Sequence, residues 1–427
     1  MTKDPEWLGR GLEHIWLPYT QMKTVPPPLA VARASGARLT LEDGRELIDG
    51  ISSWWTTVHG YCHPHIEAVV QDQLTKLPHV MLGGLAHEPA YKLAARLNAL
   101  LPGDLSRVFY SESGSVSVEI AMKMAVQYWL NKGERRTRFL SFTGGYHGDT
   151  FMTMSVCDPE EGMHSLFTGV VPDQLVVGLP RDDETATALE ATLERYGHEI
   201  AAVITEPLVQ GAGGMVFHDA ETLQRIRRAC DRAGTLLIVD EIFTGFGRLG
   251  EMFACDVAGI VPDIVTISKA LTGGTLPLAA TIAREHVFDA FYTDDPGDAL
   301  MHGPTYMGNA LACAAANASL DLFECEPRLE QVRAIETGLR DGLAPARDIP
   351  GIKDVRVIGA IGVIQVDEMR EIDDLKRRLV EAGVWVRPFR DIIYTTPPYV
   401  IDEEDLGTLT RAMVEVTSAW AKDIGLC

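Results

Sequence analysis

The chain has 427 residues, 46% hydrophobic and 23% charged. That is the balance of a globular protein long enough for more than one core. Its formal net charge of −22 argues against a polyanionic partner such as nucleic acid or an anionic membrane surface. No apolar run approaches the ~18 residues of a membrane helix, and the opening MTKDPEW has no apolar signal core, so neither a membrane span nor a targeting segment is expected. The seven cysteines are scattered, odd in number and form no C-x-x-C, which predicts reduced thiols in a cytoplasmic protein.

In chain order, VPPPL (25–29) predicts an extended connector. ARLTLEDGRELIDG (37–50) predicts a hairpin turning at Asp43-Gly44. SSWW (52–55) follows; on an extended chain two adjacent tryptophans face opposite ways, one toward the core and one toward a pocket. HGYCHPH (59–65) lacks a second ligand cluster at zinc spacing, and its His-Pro reads as a turn, so no metal site is expected.

From about 65 to 325 short apolar runs alternate with helical patterns. The predicted strands are RVFYS (107–111), RFLSF (138–142), AAVITEP (201–207), TLLIVDE (235–241), DIVTIS (263–268) and AATIA (279–283). Their continuous hydrophobicity predicts a mainly parallel sheet between helices, an α/β domain whose ligands gather at the carboxyl ends of the strands. RIRRAC (225–230) predicts a solvated helix face. Beyond 325, VRVIGAIGVIQV (355–366), a helix over 373–381, VWVRPF, IIYTTPPYVI and a closing helix from about 403 predict a smaller α+β domain. The expected domains are 65–325 for the large one and 1–64 plus 326–427 for the small one.

Two strand ends carry charge. Lys269 follows DIVTIS, and Asp240 follows LLIV, 29 residues earlier, about one βα unit. Either residue could simply send its charged head to solvent. Together, on neighbouring strand ends, they suit pyridoxal 5′-phosphate: the lysine amine condenses with its aldehyde, and the aspartate holds its pyridine nitrogen protonated. SESGSVSVEIAMKMAVQYW predicts a helix whose first turn, at Gly114 and Ser115, offers free amides to a phosphate. Any Ser/Gly helix start looks alike, so this reading leans on the Lys–Asp pair. GGYHGDT (144–150) offers Tyr146 as a ring to stack on a flat cofactor, or a plain loop tyrosine.

VDEIFTGFGR, ISKALTGG, EPLVQGAGG and HGPTYMGNALACAAANASL, in this order and spread over nearly the whole chain, resemble the class III aminotransferases. The resemblance implies fold type I pyridoxal-phosphate enzymes that work as homodimers with shared active sites. HIWLPYTQM, DGISSWWTTVHGYCHP, HVMLGGLAHEPA, GGYHGDTFMTMSVCDP, MHGPTYMGN and VWVRPFRDIIYTTPPY are most similar to the branch that moves an amino group from S-adenosylmethionine to 8-amino-7-oxononanoate in biotin synthesis. Carried over position by position, the resemblance makes Lys269 the cofactor lysine and Asp240 its pyridine partner. Gly114 and Ser115 become the phosphate site, Tyr146 and Ile242 the two faces of the ring, and Gln210 a neighbour of the ring hydroxyl. Pro304 and Thr305 reach the phosphate of the neighbouring subunit. Tyr19, Trp54, Tyr146, Gly303 and Arg387 line the substrate pocket, with Tyr19 also catalytic and Arg387 taking a substrate carboxylate. Many glutamate-using members carry an acid where this chain has Ala212 in QGAGG, which disfavours a glutamate or ornithine specialist. Another class III enzyme, of the ω-amino acid:pyruvate type, is the alternative, and SSWW and HIWLPYT argue against it. A non-catalytic cofactor-binding module is the rival of another class. A dinucleotide enzyme would need a G-x-G-x-x-G after its first strand.

Overall fold

The continuous apolar runs form strands because both their faces are covered. The computed structural model describes residues 5–159 and 163–426, in two compact units, His65–Leu329 and Met1–Pro64 with Glu330–Cys427. The larger unit holds a seven-stranded sheet. Its spatial order is Leu105–Ser111, Ala279–Arg284, Ile264–Ile267, Leu236–Asp240, Ile200–Thr205, Arg138–Phe142 and Leu175–Val177. The last five are parallel neighbours, and Ala279–Arg284 runs antiparallel to both of its partners.

The period of two along a strand assigns each residue to a face. In Leu236–Asp240, Leu236 and Ile238 pack with Ile120, Met124 and Tyr128 of helix Gly114–Asn131. Leu237 and Val239 pack on the other face with Leu189, Leu193, Leu223 and Ile226 of helices Asp183–Tyr196 and Ala220–Ala233. Each such side chain, fully buried, is worth about 1.5–3 kcal/mol. The register pairs Asp240 with Thr266, so the two parallel strands end level and Lys269 begins the turn immediately beyond.

On helix Ala220–Ala233 the expected solvated face is only partly so. Arg228 meets Glu221 at 2.6 Å, but Arg227 is drawn inward, 2.8 Å from Asp263 and 2.7 Å from Asp231. A buried carboxylate, Asp263 just before strand Ile264–Ile267, overrides the surface pattern of that segment.

The smaller unit contains a sheet of Val31–Ser35, Arg38–Leu41, Glu46–Asp49 and Val384–Trp385, and an antiparallel sheet of Ile352–Ile358, Ile361–Val366 and Ile392–Thr395. The hairpin turns at Asp43-Gly44: Gly44 takes φ 87°, and the Asp43 carboxylate accepts the Arg45 N–H at 3.0 Å. Helix Glu403–Asp423 closes the unit, capped by Asp402, with Glu403, Glu404 and Asp405 in its first turn, where acids suit the helix dipole.

Ser52–Trp55 is not extended. Ser52, Ser53, Trp54 and Trp55 have φ of 48°, 49°, 62° and 76°, a left-handed turn without a glycine. Trp55 is buried and Trp54 is 36% exposed, so the two rings do part, but by rotation around a turn rather than by alternation along a strand.

Candidate active site

The carboxyl ends of three adjacent strands bring charge to one place. Glu206 directly follows strand Ile200–Thr205, Asp240 ends Leu236–Asp240, and Lys269 lies two residues past Ile264–Ile267. Asp240 is 5% exposed. One carboxylate oxygen lies 2.8 Å from His147 Nδ1. The other accepts the Thr266 hydroxyl and the Ile242 N–H, both at 3.2 Å. Glu206 is buried and accepts the Tyr146 N–H at 3.0 Å and the Gly211 N–H at 2.9 Å. Burial pushes its carboxyl up to about 7, against the attraction of His147. Burial likewise pulls the Lys269 amine down to about 8, opposed by the charges of Asp240 and Glu206. The residue adopts φ 32°, in the left-handed region, and its Nζ lies 5.7 Å from the Phe243 ring centre.

Next to this group the loop after strand Arg138–Phe142 lies against the start of helix Gly114–Asn131. Ser113 caps the helix by accepting the Val116 N–H. The amides of Gly114 and Ser115, in the first turn, have no intrahelical acceptor. The Ser115 hydroxyl accepts the Asp149 N–H at 3.1 Å. A Cβ on Gly114 would lie 2.9 Å from Ile242 Cδ1, and one on Gly148, at φ +131°, would lie 2.5 Å from Ser115 Oγ. Gly148 is therefore required by close approach and by its φ, whereas at Gly114 only the end of the Ile242 side chain would have to give. Tyr146 donates its hydroxyl to Asp149 at 2.9 Å and stacks on His164 at 6.1 Å. Gln210 is buried and donates to the Thr143 carbonyl at 2.8 Å.

These features fit pyridoxal phosphate. A buried carboxylate acts on an amine that burial has pulled down to about 8, and a glycine-floored helix start presents free amides for an anion. The structure gathers Lys269, Asp240, Ile242, Tyr146, Gln210, Gly114 and Ser115 in the larger unit. Gly303, Pro304 and Thr305 lie in the same unit, in the loop before helix Ala310–Cys325, where the Thr305 carbonyl meets His79 Nε2 at 3.0 Å.

The remaining predicted residues cluster within the smaller unit. The Arg387 guanidinium stands 4.3 Å over the Trp54 ring, and Tyr19 meets that ring edge-on at 6.1 Å and 88°. Burial lowers the Arg387 pKa, against the pull of Tyr394 and Tyr19. Among the described residues no carboxylate pairs with Arg387, so its fork is available for a bidentate anion. Four left-handed residues cost about 1–2 kcal/mol each, and side-chain bonds, two local and one from a distant segment, hold them. Asp49 accepts the Ile51 N–H at 2.9 Å and the Ser53 N–H at 3.0 Å. The Ser52 hydroxyl donates to the Thr396 carbonyl at 2.6 Å.

His147, Glu206 and Asp49 were not among the residues predicted from sequence. Glu206 carries nearly the same signal as Asp240, an acid directly after an apolar strand, whereas Asp49 follows only Leu47 and Ile48. His147 carries none beyond its place next to Tyr146.

The family model described as aminotransferase class-III matches residues 19–417. The chain belongs to the class III aminotransferases. This aminotransferase is 46% identical to the adenosylmethionine-8-amino-7-oxononanoate aminotransferase of Mycobacterium leprae, over 96% of this chain and 97% of that protein. The solved adenosylmethionine-8-amino-7-oxononanoate aminotransferase of Methanocaldococcus jannaschii is similar at TM-score 0.92 and 33% identity, covering 97% of this chain and 98% of that one. An amine transaminase from an uncultivated Pseudomonas species, solved in its PLP-bound form, is similar at TM-score 0.87 and 31% identity, covering 95% and 98%. Both structures share the fold type I architecture of a mainly parallel sheet between helices, and membership of the family implies pyridoxal phosphate as cofactor.

Proposed function

We propose that this enzyme uses pyridoxal 5′-phosphate to transfer the amino group of S-adenosylmethionine to the ketone of 8-amino-7-oxononanoate, the 7,8-diaminononanoate-forming step of biotin synthesis. The observation that carries the substrate assignment is the 46% identity, over 96% of the chain, to a relative named for that reaction. When bound, the cofactor supplies an aldehyde that takes up an amino group and a ring that draws electrons from the substrate carbon.

Asp240 places its charge against the pyridine nitrogen, and the bonds from Thr266 and Ile242 fix the direction of that carboxylate. Lys269, with its amine near 8, is neutral often enough at physiological pH to take a proton from the donor α-carbon and return it. The Gly114 and Ser115 amides hold the phosphate, Tyr146 and Ile242 flank the ring, and Gln210 serves its hydroxyl. Arg387 takes the substrate carboxylate. Trp54 and Tyr19 supply aromatic faces that suit both a sulfonium nucleoside and an aliphatic chain, and the family likeness makes Gly303 a further substrate residue. Pro304 and Thr305 serve the phosphate of a neighbouring copy, so the working unit is a homodimer. We assign the enzyme to the cytoplasm; the free thiols of Cys157, Cys230, Cys255, Cys313 and Cys325 support this.

The test is spectroscopic. Adding S-adenosylmethionine to the cofactor-loaded enzyme removes the visible band of the bound cofactor, and adding 8-amino-7-oxononanoate restores it. Bleaching by alanine but not by S-adenosylmethionine would replace this reading with an amine transaminase, the activity of the 31% identical neighbour.

A further inference from the structure

We propose that Asp49 is a positioning residue for substrate, acting through Trp54: its carboxylate holds the left-handed turn that sets the Trp54 ring against Arg387. The inference rests on the reading of Trp54 and Arg387 as substrate residues.

Asp49 ends strand Glu46–Asp49 and is 0% exposed. Such a buried acid ordinarily faces a cation, yet among the described residues none pairs with it. Its acceptors are used instead on the turn and on one phenol. One oxygen takes the Ile51 N–H, and the other takes the Ser53 N–H and the Tyr61 hydroxyl at 2.6 Å. These bonds straddle Ser52, where the chain enters its run of positive φ. Beyond them Trp55 is seated in the core against Tyr394, ring centres 6.3 Å apart, and Thr56 returns a bond to the Ser52 carbonyl at 2.8 Å. Trp54 is thus pinned from both sides on a backbone that tryptophan rarely adopts unaided. Its exposed ring is the platform under the Arg387 guanidinium and meets the edge of Tyr19.

If the turn relaxed to right-handed φ, the Cα–Cβ bond of Trp54 would swing away. Arg387 would then lose both its cation–π contact and its fixed orientation. A change at Asp49 is therefore felt in substrate recognition. The groups that hold the cofactor, all in the other unit, are left as they were.

The test is a double-mutant cycle on the cofactor-loaded enzyme. Asp49→Asn is expected to raise KM for 8-amino-7-oxononanoate at least tenfold, with kcat reduced no more than threefold and the cofactor band and content unchanged. Trp54→Ala is expected to raise the same KM, and adding Asp49→Asn to it should change KM by less than twofold. Tyr61→Phe, which removes one bond and leaves the two amides, should give a smaller KM rise that also disappears on the Trp54→Ala background. It stands in for Asp49→Asn if that variant does not fold. Multiplicative effects on the Trp54→Ala background would overturn the inference while leaving Trp54 a substrate residue. A Trp54→Ala enzyme with wild-type KM would overturn the reading of Trp54 itself, and Asp49 with it. Loss of cofactor in proportion to activity in Asp49→Asn or Tyr61→Phe would reduce Asp49 to a structural residue.

Discussion

Lys269 is held at the end of a core strand, where water is scarce and two carboxylates are near. The two influences oppose each other, and burial wins, leaving the amine near 8. The sign matters for chemistry. The neutral amine is the nucleophile and base, and it is present above the folded pKa. An unperturbed lysine is neutral in fewer than about one molecule in a thousand at pH 7, whereas one titrating near 8 is neutral in roughly one in ten. Reaction of the cofactor-free protein with pyridoxal phosphate, followed by growth of the visible band, should therefore speed up roughly fivefold from pH 7 to 8 and less than about twofold from 8 to 9. A steady tenfold rise per pH unit up to about pH 10 would mean an ordinary surface lysine.

The sequence made this residue visible because a charge after an unbroken apolar run is improbable unless something meets it. Asp240 stood out for the same reason. His147 did not: it lies in a loop, and its partner is 93 positions away, a separation across which no local pattern speaks.

Elements differ in how far local physics determines them. The strands of the larger unit were legible because covering both faces demands an uninterrupted apolar run, and the helices because their apolar spacing repeats. The turn at Ser52–Trp55 was not legible. Every local preference opposes a left-handed run without glycine, and a bond to Thr396, 344 positions away, helps impose it. Contact between elements is equally hidden. The loop after strand Arg138–Phe142 reaches helix Gly114–Asn131 at Gly148, where an added Cβ would stand 2.5 Å from Ser115 Oγ, 2.7 Å from its Cβ and 2.9 Å from its Cα. That obstacle includes backbone, so the helix start itself must move. Gly148→Ala is predicted to weaken pyridoxal phosphate binding at least about tenfold, a loss of about 1.4 kcal/mol, measured by titration of the cofactor-free protein. Gly44→Ala is the control. Its φ of +87° is also one that alanine rarely adopts, but nothing lies within 4 Å, so it should cost stability and leave the affinity alone. Equal affinities in the two variants would remove the phosphate role from this helix start.

At the scale of the whole molecule, the larger unit leaves an apolar surface that one chain does not cover. Met81, Leu85, Met301 and Tyr306 are 58%, 50%, 74% and 59% exposed. His79 links the two segments, its ring tilted 40° against that of Tyr306 at 4.8 Å and its Nε2 meeting the Thr305 carbonyl. Large apolar side chains exposed on linked segments suit a partner surface, and the proposed partner is a second copy. Each chain carries −22, so two copies repel at long range, and the apolar contact has to outweigh that repulsion. Salt, which screens the repulsion, should therefore tighten the dimer. Placing Thr305 against the neighbour's phosphate gives a sharper consequence, because a two-fold dimer then builds each site from both chains. Lys269→Ala and Thr305→Asp enzymes should each be inactive alone. In a mixed dimer both defects fall in one site, and the other site is whole. After subunit exchange of equal amounts, half the dimers are mixed and half of their sites are intact, so about a quarter of wild-type activity should return. If each site were made by one chain, the mixture would stay as inactive as its parents, whatever its state of association by sedimentation.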